Sequence, residues 1–279
     1  MIAWFVLKLA AGITFMWWLM PRRDVTDGFF RIQMRVVLGL SVLAALLLTS
    51  STTWAEKAVE GVIGLHSSAA SAEAGAEITG LSAKRVAGWL RSLAVTSAVI
   101  AYFGSVFWAL GRRLPGNICI HLLTLISVTW LSLHAGSVPG DVPRLLQFLS
   151  AFSTAGVLGS VTIGMLLGHW YLTTPTMSIQ PLYWFNKAIV TSAVLRAVGS
   201  GWAVMDAGLA TIDLTEQIWL GIRWIGGIAA PALAALMVWR ILKHRNTQSA
   251  TGVLFAALIL VFMGEMAAAL LEGDTQIPW

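Results

Sequence analysis

The chain has 279 residues, of which 57% are hydrophobic and 11% are charged, and its net charge is +5. Because about 25% of residues are charged in soluble proteins, a chain this apolar must direct most of its surface towards something other than water. The basic residues stand in short segments between apolar runs and form no cluster, which excludes nucleic acid as a partner and predicts a lipid bilayer instead.

Eight apolar stretches are each long enough to cross a bilayer as a helix. In chain order the predicted spans are 2–20, 35–54, 90–110, 117–135, 145–171, 186–210, 218–242 and 251–271. The polar segment 55–88, with its sequence HSSAASAEAGAE, predicts a loose outer loop. We therefore expect an all-α integral membrane protein, a single polytopic domain over 1–279 with about eight transmembrane helices in one bundle.

The basic residues predict the orientation of this bundle, because cytoplasmic loops are enriched in Lys and Arg. With the amino terminus outside, ten basic residues fall in cytoplasmic loops, namely Arg22, Arg23, Arg31, Arg35, Arg112, Arg113, Lys187, Arg240, Lys243 and Arg245. Five fall in outer loops, namely Lys57, Lys84, Arg85, Arg91 and Arg144. We expect both termini outside and a multi-pass location in a bacterial-type inner membrane.

The fifth span carries a ladder of small residues at every fourth position, formed by Gly156, Ser160, Gly164 and Gly168, and the ladder ends at His169. Residues four apart lie on one face of a helix, so the ladder predicts a buried face that another surface approaches closely. Two interpretations stay open. The face is either a helix-packing seam or a wall against which a flat cofactor lies.

Two histidines are predicted at similar depth near the cytoplasmic side, His121 on the fourth span and His169 at the end of the fifth. Such a pair has the ligands for a bis-imidazole haem or a partner for a quinone carbonyl. A second outer pair of His134 with His66 is weakened by two facts. His66 lies in a loop, and the 13-residue spacing of His121 and His134 turns them about 140° apart on a helix.

Four charged residues lie at least five residues from either end of a predicted span, and each is costly in a membrane unless it is paired or hydrated. They are Lys8, Arg196, Arg223 and Glu265. Arg223 and Glu265 are predicted at equal depth on consecutive spans, so we expect an ion pair between them. Arg196 is predicted nearer the midplane with no carboxylate at its depth, which indicates an anionic ligand or, alternatively, a backbone carbonyl at a helix break.

These observations favour a membrane subunit of a respiratory or photosynthetic electron-transfer complex. In this hypothesis haem b or a quinone binds near the cytoplasmic face, His121 and His169 ligate the haem iron, and Gly164, Gly168 and His134 contribute to the site. Other membrane-protein subunits would then be the partners. The alternatives are a small-solute or lipid transporter that uses Arg196, Arg223 and Glu265, or a structural or assembly subunit.

Several chemistries are excluded or made less favourable by the sequence. Cys119 is the single cysteine, so a disulfide or a cysteine-ligated iron-sulfur cluster within this chain is excluded. No phosphate-binding loop, Gly-x-Ser-x-Gly elbow or His-Glu-x-x-His motif occurs, which argues against ATP-driven work and hydrolysis. In the seventh span Gly226, Gly227 and Pro231 predict a kink or a short unwound section of the kind that transporters use.

Overall fold

A computed structural model describes residues 2–50, 72–136, 143–174, 176–208, 213–275 and 277. Within these ranges the chain is all-helical, with no strands. The α-helices are α1 (Ile2–Leu19), α2 (Asp27–Ser50), α3 (Ala72–Ala109), α4 (Arg113–Gly136), α5 (Arg144–Thr173), α6 (Gln180–Ala207), α7 (Leu214–Trp224), α8 (Ala230–Lys243) and α9 (Thr247–Thr275). A short 3-10 helix covers Arg22–Asp24, and a π-helical segment over Ile225–Ala229 joins α7 to α8.

The prediction of eight membrane-length helices is confirmed, since eight helical stretches of the described ranges are long and apolar enough to cross a bilayer. Seven of these stretches belong to α1 to α6 and α9, and the eighth is the continuous rod of α7, the π-helical segment and α8. The location of both termini outside stays a prediction, because it depends on a membrane and not on the fold.

Most helices begin or end several residues away from the predicted span boundaries, and the starts of α2, α3 and α7 are examples. Helix α3 begins at Ala72, inside the predicted outer loop, because its Ala-rich and Glu-rich start favours helix over loop. Residues 51–71, which comprise the end of the second predicted span and the first part of the predicted loop, lie outside the described ranges. Helix α2 begins at Asp27 and not at Arg35. Helix α7 begins at Leu214 because Asp213 and Glu216 form a reciprocal capping box, each side chain accepting from the other residue's backbone N–H at 2.8 Å.

Helix α5 is the centre of the bundle. It packs against α1, α4, α6 and α9, and 83% of its membrane-length stretch is buried within the chain, compared with 28% for the stretch Gly88–Ala109 of α3. Helix α3 packs against α2 and α4 at the periphery. The helix with the glycine ladder is therefore enclosed by its neighbours, as the sequence predicts.

Within this chain the glycine ladder is a helix-packing seam. A Cβ atom on Gly156 would lie 2.8 Å from Oγ of Ser192 in α6, and one on Gly168 would lie 2.7 Å from Oγ1 of Thr251 in α9. At Gly164 the neighbouring side chains, among them Phe185 of α6, are at ordinary van der Waals distance. Helices α6 and α9 therefore cover the glycine face of α5, and their close approach supplies packing energy that lipid cannot supply.

The outside of the bundle is apolar, with large hydrophobic side chains exposed along most of the helices. Examples are Leu46 on α2, Phe103 on α3, Leu125 on α4 and Ile259 on α9. In water such a surface would drive aggregation, whereas lipid tails solvate it. The distribution of apolar residues therefore agrees with the membrane-length helices.

Candidate functional site

Three charged side chains from three helices meet inside the bundle. Arg196 of α6, Arg223 of α7 and Glu265 of α9 are 2%, 0% and 3% exposed. Oε1 of Glu265 accepts a hydrogen bond from Nη1 of Arg223 at 2.7 Å, and it lies 3.7 Å from Nε of Arg196. We call these three residues the charge cluster. It encloses two guanidinium groups around one carboxylate in a region from which water is largely excluded.

The charge cluster lies where the rod of α7, the π-helical segment and α8 crosses α9. Both helices have glycine residues at this crossing. A Cβ atom on Gly264 would collide with the backbone of Gly227, and one on Gly226 would lie 2.7 Å from the carbonyl oxygen of Leu260. Only hydrogen side chains permit the two backbones to come this close. Because Glu265 directly follows Gly264, the crossing places its carboxylate beside Arg223, one turn before Gly227.

The π-helical segment follows Arg223 almost directly. The N–H of Ala230 donates to the carbonyl oxygen of Ile225, five residues back, and the next residue is Pro231, which has no N–H to donate. The break that the sequence predicts at Gly226, Gly227 and Pro231 therefore takes the form of a wide helical turn. Such turns occur frequently at functional sites.

Glycine at position 227 also makes room for the guanidinium of Arg223. A Cβ atom there would collide with Nη1 of Arg223, so the side chain of Arg223 lies along its own helix towards Gly227. Any larger residue would displace the group that binds Glu265. The sequence Gly226-Gly227 thus serves both the helix crossing and the position of Arg223.

Arg223 retains two donors that are not used. Its Nε and Nη2 atoms are buried and find no hydrogen-bond acceptor among the residues that the structure describes. A buried donor without an acceptor costs about 1–3 kcal/mol, and more when the group is charged. The unused edge of this buried guanidinium therefore favours the binding of a hydrogen-bond acceptor.

The predicted pair of Arg223 and Glu265 is present in the structure. The expectation that no carboxylate lies at the depth of Arg196 is wrong, because Glu265 is within 3.7 Å of its Nε. The expectation was based on Cα depth, and a long arginine side chain reaches more than one helical turn along the bundle. Nη1 of Arg196 also donates to Oγ of Ser150 on α5 at 2.7 Å.

A second ion pair lies closer to the end of the bundle. Nζ of Lys8 in α1 is 3.4 Å from Oε2 of Glu272 in α9, and the two side chains are 13% and 25% exposed. Glu272 was not predicted as a partner of Lys8. Its signal was the seven-residue spacing from Glu265, which puts both carboxylates within about 20° on one face of α9.

The two histidines of the predicted haem or quinone site are not buried as the charge cluster is. The side chains of His121 on α4 and His169 on α5 are both exposed. In the sequence His169-Trp170-Tyr171, the Tyr171 ring is buried and Nε1 of Trp170 donates to Oγ1 of Thr26 at 2.8 Å, so the helix turns His169 outwards. A haem or quinone on these two imidazoles would have to lie on the outer surface of the bundle.

The side chain of His134 lies outside the described part of the structure, as does the whole of His66. In the part of the chain that the structure describes, no three side chains of His, Cys, Asp or Glu come together as they would around a metal ion. A haem needs only two imidazoles, so its binding stays a prediction.

The fold defines the class of the protein, a multi-pass helical bundle with eight membrane-length helices. Comparison of the chain with protein-family models, with curated proteins and with solved structures gave no match. The function must therefore be inferred from the chemistry of the charge cluster.

Proposed function

We propose that this protein is a transporter of a small anionic solute, which binds at Arg223 inside the charge cluster. The observation that supports the proposal is the enclosed guanidinium of Arg223, whose Nε and Nη2 atoms lack an acceptor among the described residues. A charged group inside a membrane bundle is expensive, and such groups usually mark a path for a substrate or ion. An anion at this edge would satisfy both donors.

Buried polar side chains continue from the charge cluster along α6. Asn186, Ser192, Arg196 and Ser200 are all at most 7% exposed, and they lie within an arc of about 120° on the helix. From Asn186 to Ser200 this track covers about 21 Å of the helix axis, most of a bilayer core. A polar track of that length supports a path across the membrane.

Several polar atoms on this track also lack partners among the described residues. They are Oδ1 of Asn186 and Oγ of Ser200 on α6, and we include Oγ1 of Thr154 on α5, the helix that packs against α6. Buried polar atoms are normally satisfied by protein or water, so these atoms are available to water or to a passing solute. A purely structural ion pair would not need them.

The π-helical segment beside Arg223 also supports a transport site. Such turns occur frequently at functional sites, and irregular helices commonly form the binding sites of transporters. We favour a small solute over a lipid, because the charge cluster is enclosed on all sides by protein and does not open towards the apolar surface.

Transport can be tested with the purified full chain in liposomes. Rapid addition of sodium salts of chloride, nitrate, phosphate, pyruvate and glutamate would be followed by electrical currents on a solid-supported membrane and by a luminal pH dye. These two readouts detect charge-moving and proton-coupled transport. We expect a response to at least one anion, its loss in Arg223→Gln and its retention in Arg240→Gln, which changes an exposed arginine of α8. Absence of any response in the wild-type chain would contradict the proposal.

The electron-transfer hypothesis stays a prediction with its own test. A surface haem between His121 and His169 would give the paired visible bands of bis-histidine haem b after reduction with dithionite. His169→Ala would remove these bands, whereas His244→Ala, at the exposed end of α8, would not. A colourless protein would exclude haem and leave quinone to be tested by extraction and chromatography.

A further inference from the structure

The two unused donors of Arg223 lie on one edge of its guanidinium. Nε–H and one N–H of Nη2 point in the same direction, and together they form a fork that matches the two oxygens of a carboxylate. Nη1, on another edge, is occupied by Glu265 at 2.7 Å. Glu265 therefore holds the guanidinium in place while the fork stays open.

We infer that the anion bound by Arg223 is a carboxylate, held by two parallel hydrogen bonds on the Nε and Nη2 edge. This inference rests on the proposed function, because it names the substrate class for the same site. The geometry of the edge carries it, since a fork of two donors discriminates by shape as well as by charge. A halide offers one spherical acceptor and uses the fork poorly.

Charge favours a carboxylate over phosphate. A carboxylate brings one negative charge to the fork, whereas a phosphate group carries about −1.5 to −2 at neutral pH. In an enclosed site with 0% exposure of Arg223, each charge without compensation is penalised by desolvation. The single free edge of Arg223 compensates one charge.

Gly227 contributes to this specificity because it leaves room for the guanidinium of Arg223. A side chain at 227 would collide with Nη1 and rotate the guanidinium away from Glu265. The fork would then lose its fixed direction although its charge would remain. Gly227 is therefore a positioning residue for the anion site and not a ligand itself.

The test measures binding separately from transport. Isothermal titration calorimetry of the full chain in detergent would use sodium pyruvate, sodium chloride and sodium phosphate at equal ionic strength. We expect pyruvate to bind at least tenfold more tightly than chloride or phosphate. Arg223→Lys keeps the charge but has no planar fork, so we expect it to lose about tenfold in affinity for pyruvate, the loss of one hydrogen bond to a charged group.

The matched control is Arg240→Lys, the same exchange on the surface, which should leave the affinity for pyruvate unchanged. Equal affinity for pyruvate and chloride in the wild-type chain would overturn the inference, and so would an Arg223→Lys variant that binds pyruvate as well as the wild type. If Arg223→Lys does not fold, the wild-type series alone decides. Pyruvate binding without any transport would overturn the proposed function and keep the carboxylate site. Chloride transport without pyruvate binding would keep the proposed function as an anion transporter and overturn the carboxylate site.

Discussion

The charge cluster and the two histidines lie towards opposite ends of the bundle and differ in burial. Arg196, Arg223 and Glu265 are enclosed between α5, α6, α7 and α9, and each has a defined partner. His121 and His169 are exposed on α4 and α5. A buried charge is tolerated only where specific contacts compensate its desolvation, whereas an exposed imidazole needs no such compensation. Position within the bundle, and not residue type, therefore separates candidate site residues from ordinary surface residues.

Removal of the carboxylate of Glu265, which both arginines approach, should destabilise the protein more than any other single change proposed below. Glu265→Ala leaves two enclosed guanidinium groups without it, so we expect a loss of about 3–5 kcal/mol in the free energy of unfolding. Thermal unfolding in detergent measures the effect as a large decrease in Tm. The triple variant Arg196→Met, Arg223→Met and Glu265→Leu should recover most of the stability, because matched apolar residues can replace a whole buried group of charges. If Glu265→Ala kept the Tm of the wild type, the charge cluster would have to be hydrated.

The glycine crossing beside the cluster should give the next largest effect. Gly264→Ala places a Cβ atom against the backbone of Gly227, and overpacking of this kind costs about 1–3 kcal/mol. The matched control is Gly252→Ala on the same helix, where a Cβ atom would meet nothing within 4 Å. The control should be neutral or slightly stabilising in thermal unfolding. Equal Tm values for the two variants would contradict the close crossing.

The pair of Lys8 and Glu272 should be worth less than the charge cluster. Its separation is 3.4 Å and its side chains are 13% and 25% exposed, so partial solvation weakens the attraction. We expect a coupling energy of at most about 1 kcal/mol from a double-mutant cycle with Lys8→Met and Glu272→Gln. A coupling as large as that of Arg223 with Glu265 would mean that both pairs lie in equally dry surroundings.

The histidines should give the smallest effect on stability. Because both side chains are exposed, we expect His121→Ala and His169→Ala to change the free energy of unfolding by less than about 0.5 kcal/mol. Thermal unfolding of the chain without added cofactor measures this. A large decrease in Tm for both variants, together with loss of visible bands, would support a bound haem and move the functional site to the other end of the bundle.

Local sequence signals predicted most of the helices but not all of their ends. The eight apolar runs predict eight membrane-length helices because a bilayer demands about 20 apolar residues per span. The start of α7 at Leu214 was missed although the capping box of Asp213 and Glu216 is a local signal. The helical start of α3 at Ala72 was missed because its composition is also typical of loops.

The contacts of the candidate site were likewise predicted only in part from the sequence. Equal predicted depth on consecutive spans was sufficient for the pair of Arg223 with Glu265, since neighbouring spans usually pack together. The contact of Arg196 with Glu265 was not predictable, because α6 and α9 are distant in sequence and the approach depends on side-chain reach. Exposure of His121 and His169 was not predictable either, since equal depth does not state which way a helix is turned.

The amino-acid sequence by itself determined that this protein is a bundle of membrane-length helices, and that its interior must accommodate charged residues. Hydrophobicity and length act along the chain, so a single sequence contains them. The tertiary structure alone decided that α5 is central, that Gly227 and Gly264 bring two backbones together, and that Arg223 keeps a free edge. These features depend on the rotation and crossing of helices, which arise from packing between segments far apart in the chain.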